Sequence, residues 1–216
     1  MKRIISILKF IIPLIVINAV NAESIEELTL KMGQKLGDYT VLNEAVTRGG
    51  MRVRLCQYCH GKDGNSVKDN IPNLAAQNPI YLLTQFEHFR TGHRKNRVMN
   101  DLAKGLTIDE RVNIALYYAS RDVKTPDALK VNTNSVSYQR GQKLYKNVCS
   151  NCHGANGHGK ETLPRVAGQK FKFVTKTLRA YKNKTGTRPN SPMTAVAAVL
   201  NEQDIESIAT FINTMK

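Results

Sequence analysis

Apolar residues recur along this chain at the three- and four-residue spacing that places them on one face of a helix, and the pattern occurs twice. Val112, Ala115, Leu116 and Ala119 form one apolar stripe, and Ile205, Ile208, Ala209 and Ile212 form another. Thr107 and Asn201 stand just ahead of these stripes, where a side-chain oxygen can cap the first free amides of a helix. Tyr81–Phe89 and Phe173–Tyr181 read as a second matched helix pair. An additional amphipathic helix is expected in a leader spanning 23–49, from the spacing of Leu28, Met32 and Leu36, and it is read as a packing arm. Two Gly-rich polar stretches, Gly61-Lys62-Asp63-Gly64-Asn65 and Gly154-Ala155-Asn156-Gly157-His158-Gly159, are expected to be loops. No segment alternates with the period of a strand, so the fold class is all-α.

The chain also repeats itself in sequence. Cys56-x-x-Cys-His returns at Cys149-x-x-Cys-His, and Ile71-Pro72-Asn73-Leu74-Ala75-Ala76-Gln77 returns as Leu163-Pro164-Arg165-Val166-Ala167-Gly168-Gln169. Val98-Met99-Asn100 matches Pro192-Met193-Thr194, and the offset drifts only between 92 and 94. Copies of this length are domains rather than solenoid units. The expected division is 50–122 for the first and 138–216 for the second, joined by a polar linker at 123–137.

Composition narrows the picture. The 216 residues contain no Trp, 6% aromatics and 41% hydrophobic residues, so two small domains built from them have thin cores. A large apolar cofactor in each would supply further buried surface. The net charge is +15, of which Lys2, Arg3 and Lys9 contribute part. These belong to residues 1–22, where a short basic start, a mostly apolar run and Val20-Asn21-Ala22 resemble a secretory signal peptide cleaved after Ala22. An uncleaved membrane anchor is the other reading of that segment. Without it the charge is +12. Such a surplus favours acidic partners or, peripherally, an anionic membrane surface. Nucleic acid is excluded as a partner, because no C2H2 spacing, RNP-like segment or compact basic helix is present.

All four cysteines fall in the two Cys-x-x-Cys-His motifs, the pattern of covalent c-type haem attachment. Cys56 and Cys59, and likewise Cys149 and Cys152, are spaced on a helical turn to reach the two vinyl groups of one haem edge. His60 and His153 then offer a ring nitrogen to the iron. A thioredoxin-like pair needs no His and sits in a βαβ unit. Zinc-binding pairs lie roughly 15–20 residues apart, whereas these lie 93 apart. Simple disulfides remain an alternative in an oxidising compartment but leave the doubled His without a reason.

The second axial ligands are expected to be Met99 and Met193, which follow their histidines by 39 and 40 residues. The alternative for a lone Met is core packing, and Met32, Met51 and Met215, which have no partner in the other copy, are read that way. His88, His93 and His158 are also unmatched and are not assigned to iron. A backbone carbonyl near Pro72 or Pro164 is placed to accept a hydrogen bond from the other histidine nitrogen. Arg94 and Arg188 align five residues before each Met, where they either pair with a haem propionate or remain solvated.

Two tandem cytochrome c-like domains, each with Cys-x-x-Cys-His, a following Pro and a late Met before a C-terminal helix, resemble the dihaem cytochrome c4 family over about residues 50–216. Gly61-Lys62-Asp63-Gly64-Asn65-Ser66 and Arg97-Val98-Met99-Asn100 before Leu106-Thr107 carry the same likeness. The resemblance implies two covalently bound haem c groups and a periplasmic electron carrier rather than an enzyme. Its partners would be redox proteins with acidic docking faces: a terminal oxidase, a reductase or a flavoprotein. Two rival readings stand beside it. One is the haem subunit of a flavocytochrome c-type sulfide dehydrogenase, with the leader as docking element. The other is a dihaem peroxidase or thiosulfate-oxidising enzyme, against which the two matched methionines argue.

Overall fold

The computed structural model describes residues 24–124, 132–185, 188 and 191–216. The expected signal segment and part of the expected linker lie outside the described residues. Eleven α-helices and one π-turn make up the regular structure of the described residues, and the only β feature among them is an isolated bridge between Lys160 and Leu163. The all-α expectation is correct.

The first half contains α1 (Ile25–Leu36), α2 (Tyr39–Arg52), α3 (Arg54–His60), α4 (Pro79–Thr91), α5 (Arg97–Lys104) and α6 (Ile108–Ala119). The second contains α7 (Val136–Leu144), a π-turn (Tyr145–Cys149), α8 (Ser150–His153), α9 (Phe171–Lys182), α10 (Met193–Ala198) and α11 (Glu202–Thr214). The halves follow one plan. In each, an early helix crosses the last one, α2 on α6 and α7 on α11. Both crossings are close because a glycine stands at the contact. A Cβ on Gly49 would lie 2.1 Å from the Asn113 carbonyl oxygen, and one on Gly141 would lie 2.0 Å from that of Ser207.

Capping sets where the last helices start. The Thr107 hydroxyl accepts from the Glu110 amide while the Glu110 carboxylate accepts from the Thr107 amide, and Asn201 with Asp204 repeats the arrangement. Each box satisfies two amides that have no partner within the helix. Arg52 donates to Glu110 and Arg140 donates to Asp204, which ties α2 and α7 to these same caps.

Each half has its own apolar core. Leu83, Val112, Ile114, Leu116 and Tyr118 centre the first, and Tyr145, Ile205, Ile208 and Ala209 centre the second. Glu87 and Arg111 form an ion pair within the first, where both are buried, and Arg90 also donates to Glu87 at 2.8 Å. The leader is two helices rather than one. α1 packs on α2, α4 and α6, with Leu28 and Met32 fully buried and Leu36 at its exposed end. Lys35 anchors it by donating to the Asn113 side chain at 3.0 Å. α2 continues through position 50 and is the packing counterpart of α7.

Candidate functional site

The two Cys-x-x-Cys-His segments end helices in the same way. α3 closes on His60 and α8 on His153, and the following Gly61 and Gly154 adopt φ of 81° and 80°. That region disfavours residues with a Cβ, and it turns the chain sharply away from the histidine. The loop then returns beneath the imidazole. The His60 Nδ1–H donates to the Pro72 carbonyl at 2.9 Å, and the His153 Nδ1–H donates to the Pro164 carbonyl, also at 2.9 Å. A carbonyl can only accept, so each neutral ring carries its proton on Nδ1 and its lone pair on Nε2. Burial lowers the pKa of both imidazoles, which favours this neutral, metal-binding form.

The return loop in the first half is further braced. Ser66 donates its hydroxyl to the Cys59 carbonyl at 3.1 Å, and its amide donates to the Asn73 side chain at 2.8 Å. All four thiols are unpaired; Cys56, Cys59 and Cys149 are half-buried and Cys152 is exposed. Burial pushes the Cys56 thiol up and the Cys149 thiol up to about 11.

Met99 lies in α5, with its amide held by the Asn96 side chain at 3.0 Å, and Met193 opens α10, with its amide held by the Ser191 hydroxyl at 3.3 Å. Met99 is partly buried against the first core along with Cys56, and Met193 against the second along with Cys149. Neither short helix is among the elements expected from the sequence.

Arg94 and Arg188 approach each other from the two halves. Arg94 donates to Gln85 at 2.8 Å and lies 4.4 Å over the Phe89 ring, and Arg188 donates to the Tyr181 hydroxyl at 2.8 Å. Burial, together with the nearby Arg188 charge, brings Arg94 down to about 9. Arg165 also has a buried Nε with no hydrogen-bond partner. The two neighbouring guanidiniums of Arg94 and Arg188 and the unpartnered Arg165 Nε suit anionic groups. A haem brings two carboxylates on one edge, so the donor set fits it: imidazole Nε2, thioether sulfur, paired thiols and a cationic margin.

A protein-family model described as cytochrome c matches residues 138–216. Cytochrome c4 of Pseudomonas aeruginosa is 33% identical over 174 residues, covering 76% of this chain and 85% of that protein. This chain belongs to the cytochrome c4 family. Cytochrome c4 of Azotobacter vinelandii is 31% identical, with 76% and 86% covered. The crystal structure of reduced recombinant cytochrome c4 from Pseudomonas stutzeri superimposes with a TM-score of 0.70 at 28% identity, covering 79% of this chain and 98% of that one. As a cytochrome c4, the chain has two tandem class I cytochrome c domains and carries two covalently bound haem c groups. It is a dihaem electron-transfer cytochrome.

Proposed function

We propose that this cytochrome c4 is a periplasmic carrier in which both irons are held by one histidine and one methionine. His60 and Met99 would ligate the first iron, and His153 and Met193 the second. Cys56, Cys59, Cys149 and Cys152 would hold the rings by thioether bonds. The observation that supports this most directly is the matched bond from each histidine Nδ1–H to a proline carbonyl, which leaves both Nε2 atoms as donors. A methionine partly buried in each half beside one of that half's motif cysteines supports the second ligand.

The haem supplies the one-electron couple, and a His/Met pair favours its reduced form. The protein's residues hold, orient and shield it. An iron held by both His and Met side chains would offer no open site to a substrate, which favours a carrier over a peroxidase or thiosulfate-oxidising enzyme. The guanidiniums of Arg94 and Arg188 would take the propionates.

The signal segment would be cleaved after Ala22. The first domain would begin at the Asp38 cap of α2 rather than at 50, because α2 fills the role of α7; the second would span 138–216. Residues 138–216 contain 13 Lys and Arg against 4 Asp and Glu, while 38–122 contain 12 against 9. An oxidase, reductase or flavoprotein with an acidic docking face would therefore meet the second domain first. Within the described residues no helix is long and apolar enough to cross a membrane, and any membrane association of these residues through helices would be peripheral.

A redox titration of the purified holoprotein with spectra at each potential tests the ligand set. Two haems per chain and a far-red methionine-to-ferric-iron band are expected. M99A and M193A should each remove one half of that band and lower one potential. A band unaffected by either substitution refutes methionine ligation.

A further inference from the structure

The interface between the halves includes two glutamines at equivalent places in the repeat, Gln77 and Gln169. Both are buried. Each carboxamide grips the main chain of the opposite half. The Gln77 Oε1 accepts from the Arg165 amide at 2.7 Å and its Nε2 donates to the Arg165 carbonyl at 2.8 Å. The Gln169 Oε1 accepts from the Asn73 amide at 2.8 Å and its Nε2 donates to the Asn73 carbonyl at 3.1 Å. Each Oε1 also accepts from the next amide in its own half, Asn78 or Lys170, at 3.0 Å.

The gripped residues are the ones that follow the two prolines. The Arg165 amide belongs to the same peptide group as the Pro164 carbonyl, which accepts from His153. The Asn73 amide belongs to the same peptide group as the Pro72 carbonyl, which accepts from His60. A peptide that donates through its N–H becomes a stronger acceptor at its oxygen, because hydrogen bonds in a chain polarise one another. Each histidine thus stands at the end of a relay that begins in the other domain: Gln77 to the 164–165 peptide to His153, and Gln169 to the 72–73 peptide to His60.

We infer that Gln77 and Gln169 are crossed positioning residues, each setting the donor strength of the proximal histidine in the opposite domain. The inference rests on the ligation by His60 and His153 proposed above. A stronger bond from Nδ1–H makes the imidazole a more basic ligand, which favours ferric iron. Cutting a relay therefore raises the potential of the haem at its far end.

The test is an NMR-monitored redox titration of holoprotein Q77L and Q169L, with each haem assigned through contacts to its own proximal loop. Q77L should raise only the second haem's potential and Q169L only the first's, each by an amount equal to a roughly two- to fourfold change in the oxidised-to-reduced ratio. The His153 Nδ1 proton should exchange faster in Q77L, and the His60 Nδ1 proton faster in Q169L. Q77E keeps an accepting oxygen, and a stronger one, so it should lower the second potential; it also serves if Q77L does not fold. Equal shifts at both haems, a shift in the mutated residue's own domain, a fall in the Leu variants or no shift at all overturns the relay. A wild-type protein lacking two histidine-ligated haems overturns the ligation instead.

Discussion

Gly49 meets the carbonyl of Asn113 so closely that a methyl group would stand 2.1 Å from its oxygen. G49A should therefore force α2 off α6 and destabilise the holoprotein by about 1–3 kcal/mol or more, and G141A should do the same to α7 and α11. G33A is the contrast. Gly33 lies inside α1, and a Cβ added there would meet nothing within 4 Å, so alanine should stabilise by roughly 0.5–1 kcal/mol. Urea unfolding followed by circular dichroism checks all three.

Removing the buried carboxylate of Glu87 breaks the ion pair it makes with Arg111 in the first core. E87A should cost about 3–5 kcal/mol. The double variant E87L/R111M should recover part of that loss, since an apolar pair of similar volume needs no partner, while the partly exposed Arg90 still loses its bond to Glu87. Thermal unfolding of the single and double variants measures the difference.

Leu28 and Met32 are fully buried under α1. If the leader is a structural arm of the first domain, L28A and M32A should each destabilise by about 2–5 kcal/mol. If it is held only by a partner, the isolated protein should unfold at an unchanged urea concentration.

Acid should weaken the fold in a defined window. Partial burial opposes ionisation of Asp63, but Lys124 at 2.6 Å and the Asn65 amide at 3.1 Å prevail and hold its carboxyl down to about 2. Burial likewise opposes ionisation of Asp204, where the Asn201 amide and Arg140 prevail, and the Thr107 amide and Arg52 lower Glu110. A carboxylate depressed in the folded state stabilises it above its unfolded pKa, and that contribution is lost as pH falls through the folded value. The contribution of these three carboxylates to the melting temperature should thus hold down to about pH 4 and then fade toward about pH 2, with D63N flattening that part of the decline.

The sequence made the haem motifs and the four principal helices legible because each rests on a short local signal. Cys-x-x-Cys-His is contiguous, and Thr107 and Asn201 cap helices whose apolar stripes follow at once. The leader was harder. Leu28, Met32 and Leu36 marked α1, but α2 is held by the glycine contact with α6, and a glycine's use as a crossing point depends on a residue 64 positions away. The helix bearing Met193 is too short to show a period, and in α5 Val98, Met99, Leu102 and Ala103 show one over only two turns. Pro72 with Pro164 and Gln77 with Gln169 were visible as matched residues, but what each glutamine grips depends on the main chain of the opposite half.

That junction has a consequence for how two copies of one unit can grow apart. Each glutamine grips an amide and a carbonyl, which every residue except proline provides. The side chain at the gripped position is therefore not part of the grip, and this chain has Asn73 in one copy and Arg165 in the other. Asn73 has taken a second task, donating from its side chain to the Gly168 carbonyl at 2.9 Å, while Arg165 turns its guanidinium elsewhere. A joint that reads main chain lets a duplicated domain specialise residue by residue without coming loose from its twin.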